Sequence, residues 1–121
     1  MAKSILIVDD DEMVCMALTE LLKPEGYEID TVKSAKEALQ SIDKKRYNLL
    51  MLDIIMPEMN GLELCKKIKA KEDYNEIPVV FLTAKSREED RALGIEAGAK
   101  LFLSKPISPD KLLKIVSETL G

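Results

Sequence analysis

Side chains able to handle a phosphoryl group follow four of the apolar runs in this 121-residue chain. They are Asp9 and Asp10, Asp53, Thr83 and Lys105. Carboxylates that lie close together repel one another unless a cation neutralises them, and hard divalent cations prefer oxygen ligands. A lysine adds a compact positive charge, and a threonine adds a hydroxyl donor. Such a set suits attack by a carboxylate on phosphorus, because the metal and the ammonium offset the charge of the phosphoryl oxygens.

The segments that must position these groups alternate between short apolar runs and stretches with helical spacing. Strands are predicted at 4–8, 27–32, 49–52, 79–82 and 101–103, and a helix is predicted after each of them. Ser34 and Glu37 predict a capping box at the start of the second helix. Ser86 and Glu89 predict another at the start of the fourth helix. Ser108, which is followed by Pro109, predicts the start of the fifth helix.

Five βα units predict a parallel sheet covered by helices on both faces. The alternating polarity of residues 27–32 is typical of a strand at the edge of a sheet. The predicted fold is therefore α/β, a doubly wound five-stranded parallel sheet of order 2-1-3-4-5 in a flavodoxin-like (βα)5 arrangement. Ligands bind such sheets beyond the carboxyl ends of the strands, so the candidate groups should meet at one rim.

Composition narrows the class of protein. The 33% of charged residues and the 46% of hydrophobic residues are typical of a globular chain, and residues 1–121 are expected to form a single domain. A net charge of -4 with no basic face argues against direct binding of nucleic acid. Without a long apolar run or a signal peptide, we expect a cytoplasmic protein with no membrane contact.

Two further residue types limit the chemistry. The chain contains no histidine, which excludes Ser-His-Asp and Cys-His catalysis. Cys15 and Cys65 stand alone in helical patterns, so neither a disulfide framework nor a structural zinc site is expected.

Each of these candidate residues, taken alone, could have a purely structural role. An aspartate after a strand often caps the next helix, which is the preferred interpretation for Asp11 and Glu12. For Asp9, a cap and a ligand are equally supported. Thr83 alone could be a turn residue, and Lys105 alone could be solvated. The chemical interpretation therefore depends on all of the groups reaching the same rim.

Five motifs along the chain resemble the receiver domains of response regulators in two-component signalling systems. They are ILIVDDDE at 5–12, LMLDIIMP at 50–57 with Asn60–Gly61, VVFLTA at 79–84, EAGA at 96–99 and Lys105–Pro106. The similarity extends over essentially the whole chain. It implies that Asp53 is the phosphoacceptor. It also implies a site for Mg²⁺, or for Mn²⁺, formed by Asp9, Asp10, Asp53 and the main-chain carbonyl of Ile55.

The resemblance implies further roles on the phosphoryl side. Thr83 would be the switch hydroxyl that bonds to the phosphoryl oxygen. Phe102 would be the switch aromatic, which moves from an exposed to a buried position, although it could also be an ordinary core residue. Lys105 would contact the phosphoryl group, and its bond to Pro106 would be cis.

The function that follows is a phosphorylation-activated switch. A histidine kinase or a histidine phosphotransfer protein would donate the phosphoryl group, since the phosphohistidine must come from another molecule. The face formed by the fourth helix, fifth strand and fifth helix would then change for an unidentified downstream protein. The domain would catalyse only its own phosphorylation and dephosphorylation, so it would not be an enzyme in the ordinary sense.

Features particular to this chain add two expectations. Ile55 is apolar and cannot orient an attacking water, which predicts slow loss of the phosphoryl group. The fourth helix has a weak apolar stripe and carries Gly94 in its interior, which costs about 1 kcal/mol relative to alanine. We expect this helix to be comparatively loose and to belong to the switching face.

Four alternative functions agree less well with the sequence. A Mg²⁺-dependent phosphoaspartate hydrolase of the haloacid dehalogenase type would need a second acid two residues after Asp53, where Ile55 stands. In a flavodoxin, the four acids that begin at Asp9 would repel the flavin phosphate. A receiver fragment of a longer DNA-binding regulator or hybrid kinase is disfavoured by the natural start at Met1. A scaffold that is never phosphorylated is disfavoured by the complete acceptor set.

Overall fold

Five strands alternate with five helices in residues 2–121, the part of the chain that this computed structural model describes. The elements are β1 (Ser4–Val8), α1 (Glu12–Leu22), β2 (Glu28–Val32), α2 (Ala35–Lys44), β3 (Leu49–Leu52), α3 (Gly61–Lys69), β4 (Val79–Thr83), α4 (Glu88–Glu96), β5 (Leu101–Ser104) and α5 (Pro109–Leu120). Short 3₁₀ turns follow α1 and α3. The predicted elements are confirmed, and their ends shift by a residue or two.

The strands form one parallel sheet in the order β2-β1-β3-β4-β5, as predicted. The register places Val8 opposite both Val32 and Leu52. The main-chain N–H of Asp53 continues this ladder by donating to the carbonyl of Val8 at 3.0 Å. Asp9 and Asp53 therefore leave neighbouring strands at nearly the same level.

Apolar side chains cover both faces of the sheet. The central strands β1, β3 and β4 are almost fully buried, which explains their continuous apolar sequences. On one face, Leu6, Leu50 and Phe81 belong to a core layer that includes residues of α2 and α3. On the other face, Ile7 and Met51 belong to a layer that includes residues of α1 and α5. Each such side chain contributes roughly 1.5–3 kcal/mol when it is buried, so these layers fix the helices around the sheet.

The starts of α1, α2 and α5 agree with the sequence. Asp11 caps α1 by accepting hydrogen bonds from two main-chain N–H groups, and Ser108 caps α5. Ser34 caps α2 by accepting from the N–H of Glu37 at 3.1 Å. The Glu37 carboxylate accepts from the N–H of Lys33 rather than of Ser34, so the predicted capping box is only half formed.

The predicted capping box at the start of α4 is wrong. The cap residue is Arg87, and the carboxylate of Asp90 accepts from its main-chain N–H at 3.1 Å. Glu89 and Asp90 are both acidic, so the sequence is compatible with either of two adjacent starts for the helix. The structure uses Asp90, which is buried against the domain, whereas Glu89 faces the solvent.

Cys15 and Cys65 are both free, as predicted, and both are buried. Each helix within residues 2–121 is too short or too polar to cross a lipid bilayer.

A hydrogen bond ties the edge strand β2 to the segment that enters β3. The hydroxyl of Tyr47 donates to the carboxylate of Asp30 at 2.6 Å, and the ammonium of Lys45 lies 3.0 Å from the same oxygen. The hydrogen bond from Tyr47 lowers the pKa of Asp30, with burial acting in the opposite direction. The ionised carboxylate therefore stabilises the edge of the sheet.

We expect Tyr47→Phe to lower the free energy of unfolding by about 1 kcal/mol at neutral pH, since a hydrogen bond to a charged but partly exposed carboxylate is lost. The lowered pKa of Asp30 stabilises the folded state above the carboxyl's ordinary pKa, and this contribution is lost as the pH falls through the folded-state pKa. The difference between variant and wild type should therefore shrink below about pH 4.

Urea unfolding followed by circular dichroism, at neutral and at acidic pH, measures this difference. Tyr27→Phe is the matched control, because the same atom is removed from a half-buried tyrosine elsewhere on the edge of the sheet. A loss that is the same at both pH values, or that Tyr27→Phe reproduces, would contradict the assignment.

Candidate functional site

Three carboxylates meet at the carboxyl end of the sheet. Asp9 and Asp10 follow β1, and Asp53 follows β3. One oxygen from each carboxylate lies within 4.8 Å of the others. Asp9 and Asp53 are only 3% and 9% exposed, whereas Asp10 is open to solvent. The rim therefore forms an acidic pocket with two buried walls and one accessible side.

Lys105 connects the two buried carboxylates of this pocket. It follows β5, and its Nζ lies 2.7 Å from Oδ2 of Asp9 and 3.4 Å from Oδ2 of Asp53. The remaining oxygens accept main-chain hydrogen bonds: Oδ1 of Asp9 from Asp11 at 2.9 Å, and Oδ1 of Asp53 from Ile54 at 2.7 Å. Each buried carboxylate is thus held at both of its oxygens.

Burial and ion pairing act on this cluster in opposite directions. Burial raises the pKa of Asp9, and the hydrogen bond from Lys105 offsets that rise only in part. For Lys105, burial alone would lower the pKa, but the hydrogen bond that it donates to Asp9 and the charge of Asp53 outweigh burial and raise the pKa. The ion pair would by itself lower the pKa of Asp9, so at this carboxylate desolvation prevails over attraction. Lys105 therefore remains a cation at neutral pH, while a bound divalent cation would favour the ionised form of Asp9.

Thr83 ends β4 in a fully buried position. Its Oγ1 accepts a hydrogen bond from the main-chain N–H of Lys85 at 3.1 Å. The hydroxyl oxygen is therefore bonded within its own loop, beside the acidic pocket in the sheet order. Lys105 contacts both Asp9 and Asp53 directly, whereas the hydrogen bond of the Thr83 side chain is made to Lys85.

Phe102 occupies the buried one of the two positions that the resemblance implied. It is 3% exposed and packs against Phe81, with 5.9 Å between the ring centroids. The neighbouring residue of α4 is Gly94, which has no side chain to occupy the space.

Two other residues named from the sequence lie in the loops of the rim. The peptide bond between Lys105 and Pro106 is cis, which agrees with the resemblance. Ile55, two residues after Asp53, presents a side chain that is 60% exposed. An apolar group is therefore accessible beside the acidic residue that the sequence singles out.

Gly61 and Cys15 contribute to the site, although sequence reasoning gave neither of them a role there. A Cβ atom on Gly61 would lie 2.0 Å from the carbonyl oxygen of Asp53, so only glycine allows α3 to begin this close to β3. The N–H of Gly61 donates to the carbonyl of Ile54 at 2.8 Å. The thiol of Cys15 donates to the carbonyl of Asp9 at 3.3 Å. The position of Gly61 at the start of a helix is the sequence feature that could have indicated its role in the site. No feature of the sequence indicates the role of Cys15.

Comparisons with known proteins identify the protein family of this chain. The family model for the response regulator receiver domain matches residues 5–117, so this chain belongs to that family. It is a response regulator receiver domain, a signalling switch of two-component systems and not an enzyme in the classical sense.

Particular relatives include longer regulators. The chain is 37% identical over 109 residues to the alkaline phosphatase synthesis transcriptional regulatory protein PhoP of Bacillus subtilis (strain 168), covering 90% of this chain and 45% of PhoP. It is 38% identical over 120 residues to the regulatory protein VanR of Enterococcus faecium, covering 99% of this chain and 51% of VanR. The chain spans about half the length of these curated relatives.

Solved structures of similar length share the fold. A putative response regulator from Chloroflexus aurantiacus J-10-fl superposes with a TM-score of 0.94 at 35% identity, covering 99% of this chain and 98% of that one. The chemotaxis protein CheY4 of Vibrio cholerae superposes with a TM-score of 0.93 at 30% identity, covering 98% and 99%.

We expect Gly61→Ala to lower the free energy of unfolding by about 3 kcal/mol or more, because the added methyl group would overlap the main chain at Asp53. Gly26→Ala serves as the control, since Gly26 has open space around it and only its φ of 96° strains an alanine. Urea unfolding of both variants measures the two costs. A cost for Gly61→Ala no larger than that for Gly26→Ala would show that the close approach is not required.

Proposed function

We propose that this receiver domain is switched by transfer of a phosphoryl group from a partner phosphohistidine to Asp53, with Mg²⁺ bound beside it. The observation that carries the proposal is the position of Asp53, whose Oδ2 lies 3.4 Å from the ammonium of Lys105. The same carboxylate belongs to the group of three acids that could hold a cation. A nucleophile, a positive charge and a metal-ligand set thus lie together.

The donor set fits a hard divalent cation. All of the proposed ligands are oxygens, which Mg²⁺ prefers, and Mn²⁺ would accept the same set. Asp10 is the exposed acid and would bind directly, together with Asp53 and the main-chain carbonyl of Ile55. Oδ2 of Asp9 lies 2.7 Å from the ammonium of Lys105, closer than Oδ2 of Asp53 at 3.4 Å, which favours contact of Asp9 with the metal through a water molecule. The bound ion would neutralise negative charge on the phosphoryl oxygens.

The residues of the chain have distinct parts in the transfer. An oxygen of Asp53 attacks phosphorus while the bond from phosphorus to the partner's imidazole nitrogen breaks, and the imidazole leaves. Lys105 lies where it can offset the charge on the phosphoryl oxygens. The main-chain N–H of Ile54 holds Oδ1 of Asp53, so the carboxylate is oriented before the phosphoryl group arrives.

Thr83 is the proposed link from the site to the face formed by α4, β5 and α5. Its hydroxyl oxygen accepts from Lys85, so its own hydrogen can be donated to a phosphoryl oxygen. Turning toward the phosphoryl group would break the bond to Lys85 and would move the loop that leads into α4. A population shift of this face, present in part before phosphorylation, would change binding of a downstream protein.

The proposed donor is a histidine kinase or a histidine phosphotransfer protein that docks beside α1. Met13 on this helix is 76% exposed, and Met16 lies one turn further along and is also exposed. Flexible apolar side chains next to the acidic rim suit a protein partner, because methionine adapts to varied surfaces. We also propose a cytoplasmic location, which is consistent with the free thiols of Cys15 and Cys65.

Residues 1–121 form one receiver domain in this proposal, and its output is a separate protein. A second candidate is the receiver part of a longer DNA-binding regulator, which the match to about half the length of PhoP and VanR favours. In either case the receiver would contact proteins rather than nucleic acid, in keeping with its net charge of -4.

The central prediction concerns Asp53. Treatment with acetyl phosphate and Mg²⁺ should add the mass of one phosphoryl group to the wild type, and Asp53→Ala should abolish this addition because the nucleophile is lost. Omitting Mg²⁺ and adding a chelator should also prevent it. Intact-protein mass spectrometry measures the product.

Asp43→Ala is the control for this prediction, since Asp43 is an exposed aspartate near the end of α2, where it pairs with Lys71. It should be phosphorylated like the wild type. Equal phosphorylation of Asp53→Ala, or phosphorylation that a chelator leaves unchanged, would refute the proposed chemistry.

Ile55 is expected to slow the loss of the phosphoryl group. Ile55→Asn supplies an amide that can orient an attacking water, and a net hydrogen bond of about 1 kcal/mol corresponds to roughly fivefold in rate. The decay of phosphorylated protein, followed by mass after removal of the donor, should be faster by about that factor. Ile55→Val keeps the apolar character and should decay like the wild type. An Ile55→Asn variant with unchanged decay would rule out this role.

A further inference from the structure

The loop of residues 54–60 leads from the acidic pocket into α3, and two main-chain hydrogen bonds hold it closed. At its base, the N–H of Gly61 donates to the carbonyl of Ile54 at 2.8 Å. At its tip, the N–H of Met59 donates to the carbonyl of Pro57 at 2.9 Å. These two bonds give the segment a compact shape beside the carboxylates.

The backbone at the tip of this loop is strained at Glu58. Its φ is 68°, and among residues 2–121 it is the one non-glycine residue with a positive φ. This φ, together with the hydrogen bond between the residues on either side, defines a γ-turn of the rare, strained kind. A strained residue persists only where the surrounding structure fixes it, so the loop requires an anchor.

Met56 supplies that anchor. The side chains of Ile54 and Met56 are buried in the core layer that includes residues of α2 and α3, whereas Ile55 between them is exposed. Ile54 directly follows the end of the sheet ladder, but Met56 is the one buried residue between Ile54 and Gly61. The burial of Met56 therefore decides where the middle of the loop lies.

The anchor acts on the site through the backbone. The N–H of Ile54 donates to Oδ1 of Asp53 at 2.7 Å, so the first peptide unit of the loop holds the carboxylate. The carbonyl of Ile55 shares a planar peptide unit with the nitrogen and Cα of Met56. A side chain that fixes the Cα of Met56 thus also restricts the direction of the Ile55 carbonyl.

We propose that Met56 is a positioning residue of the metal site. Its buried side chain holds the peptide unit of Ile55, so that this carbonyl and the carboxylate of Asp53 are placed for one divalent cation. Met56 does not touch the cation and acts as residues behind the ligands of a metal site do. This inference rests on the metal site of the proposed function and adds the residue that orients it.

Titration of the protein with Mg²⁺ alone tests this role without a phosphodonor. Chemical shifts of the amides at the rim, followed by NMR, measure the dissociation constant. Met56→Ala should weaken Mg²⁺ binding about tenfold, the lower end of the range for residues that support metal ligands. Met56→Leu restores a buried side chain of similar volume and should bind Mg²⁺ like the wild type.

Ile42→Ala is the matched control for a loss of core packing. Ile42 of α2 belongs to the same core layer and is 6% exposed, against 8% for Met56. Urea unfolding should show comparable losses of stability in Ile42→Ala and Met56→Ala, yet Ile42→Ala should bind Mg²⁺ as tightly as the wild type. If Met56→Ala does not fold, Met56→Val makes the same comparison with a smaller truncation.

Hydrogen exchange gives a readout that needs no metal. The amides of Ile54 and Gly61 make the hydrogen bonds at the base of the loop. In the metal-free protein they should exchange several-fold faster in Met56→Ala than in Ile42→Ala, because only the first variant frees the loop.

The inference is overturned if a folded Met56→Ala binds Mg²⁺ as the wild type does, or if Ile42→Ala weakens binding equally. Either result would leave Met56 with a role in general stability alone. A wild type that binds no Mg²⁺ would refute the proposed metal site and this inference with it. Normal binding by both the wild type and Met56→Ala would refute the inference alone.

Discussion

The ammonium of Lys105, placed between the carboxylates of Asp9 and Asp53, is the interaction on which the site depends. Two nearly buried carboxylates this close would repel each other and would be costly to keep ionised. The lysine offsets that repulsion, and main-chain N–H groups hold the oxygens that it does not contact. Because Asp10 is accessible and negatively charged, the open side of the pocket carries an excess of negative charge. This electrostatic balance makes the rim suited to a cation and to a phosphoryl group.

The sheet makes this cluster possible. Parallel strands bring their carboxyl ends to one edge, and the register of β1 and β3 sets Asp9 and Asp53 side by side. The start of α3 fits against β3 because Gly61 lacks a Cβ, which keeps the loop after Asp53 compact. The pocket is thus held by main-chain geometry, and its side chains require little reorganisation to meet a ligand.

The acidic pocket and the face formed by α4, β5 and α5 are built differently. Interactions between charged side chains hold the pocket together. On the α4 side, Phe102 packs in the space left by Gly94 and under Arg91. Thr83 lies between them, at the end of β4 and at the start of the loop that leads to α4.

Local sequence patterns determined the elements of this protein. Continuous apolar runs gave the buried strands, and Asp11, Ser34 and Ser108 gave the starts of three helices, because a cap is formed by residues within one turn of each other. The order of the strands followed from general rules of crossover, and that order placed Asp9, Asp53 and Lys105 at one rim.

Tertiary structure decided the features that join distant segments. The hydrogen bond from Cys15 to the carbonyl of Asp9, the approach of Gly61 to Asp53 and the burial of Phe102 against Gly94 all depend on distances between packed elements. The start of α4 at Arg87 was settled by which of two adjacent acids became buried. Sequence spacing records the period of a helix or strand, but it does not record the gap between two elements, and that gap determines where a single methyl group fits.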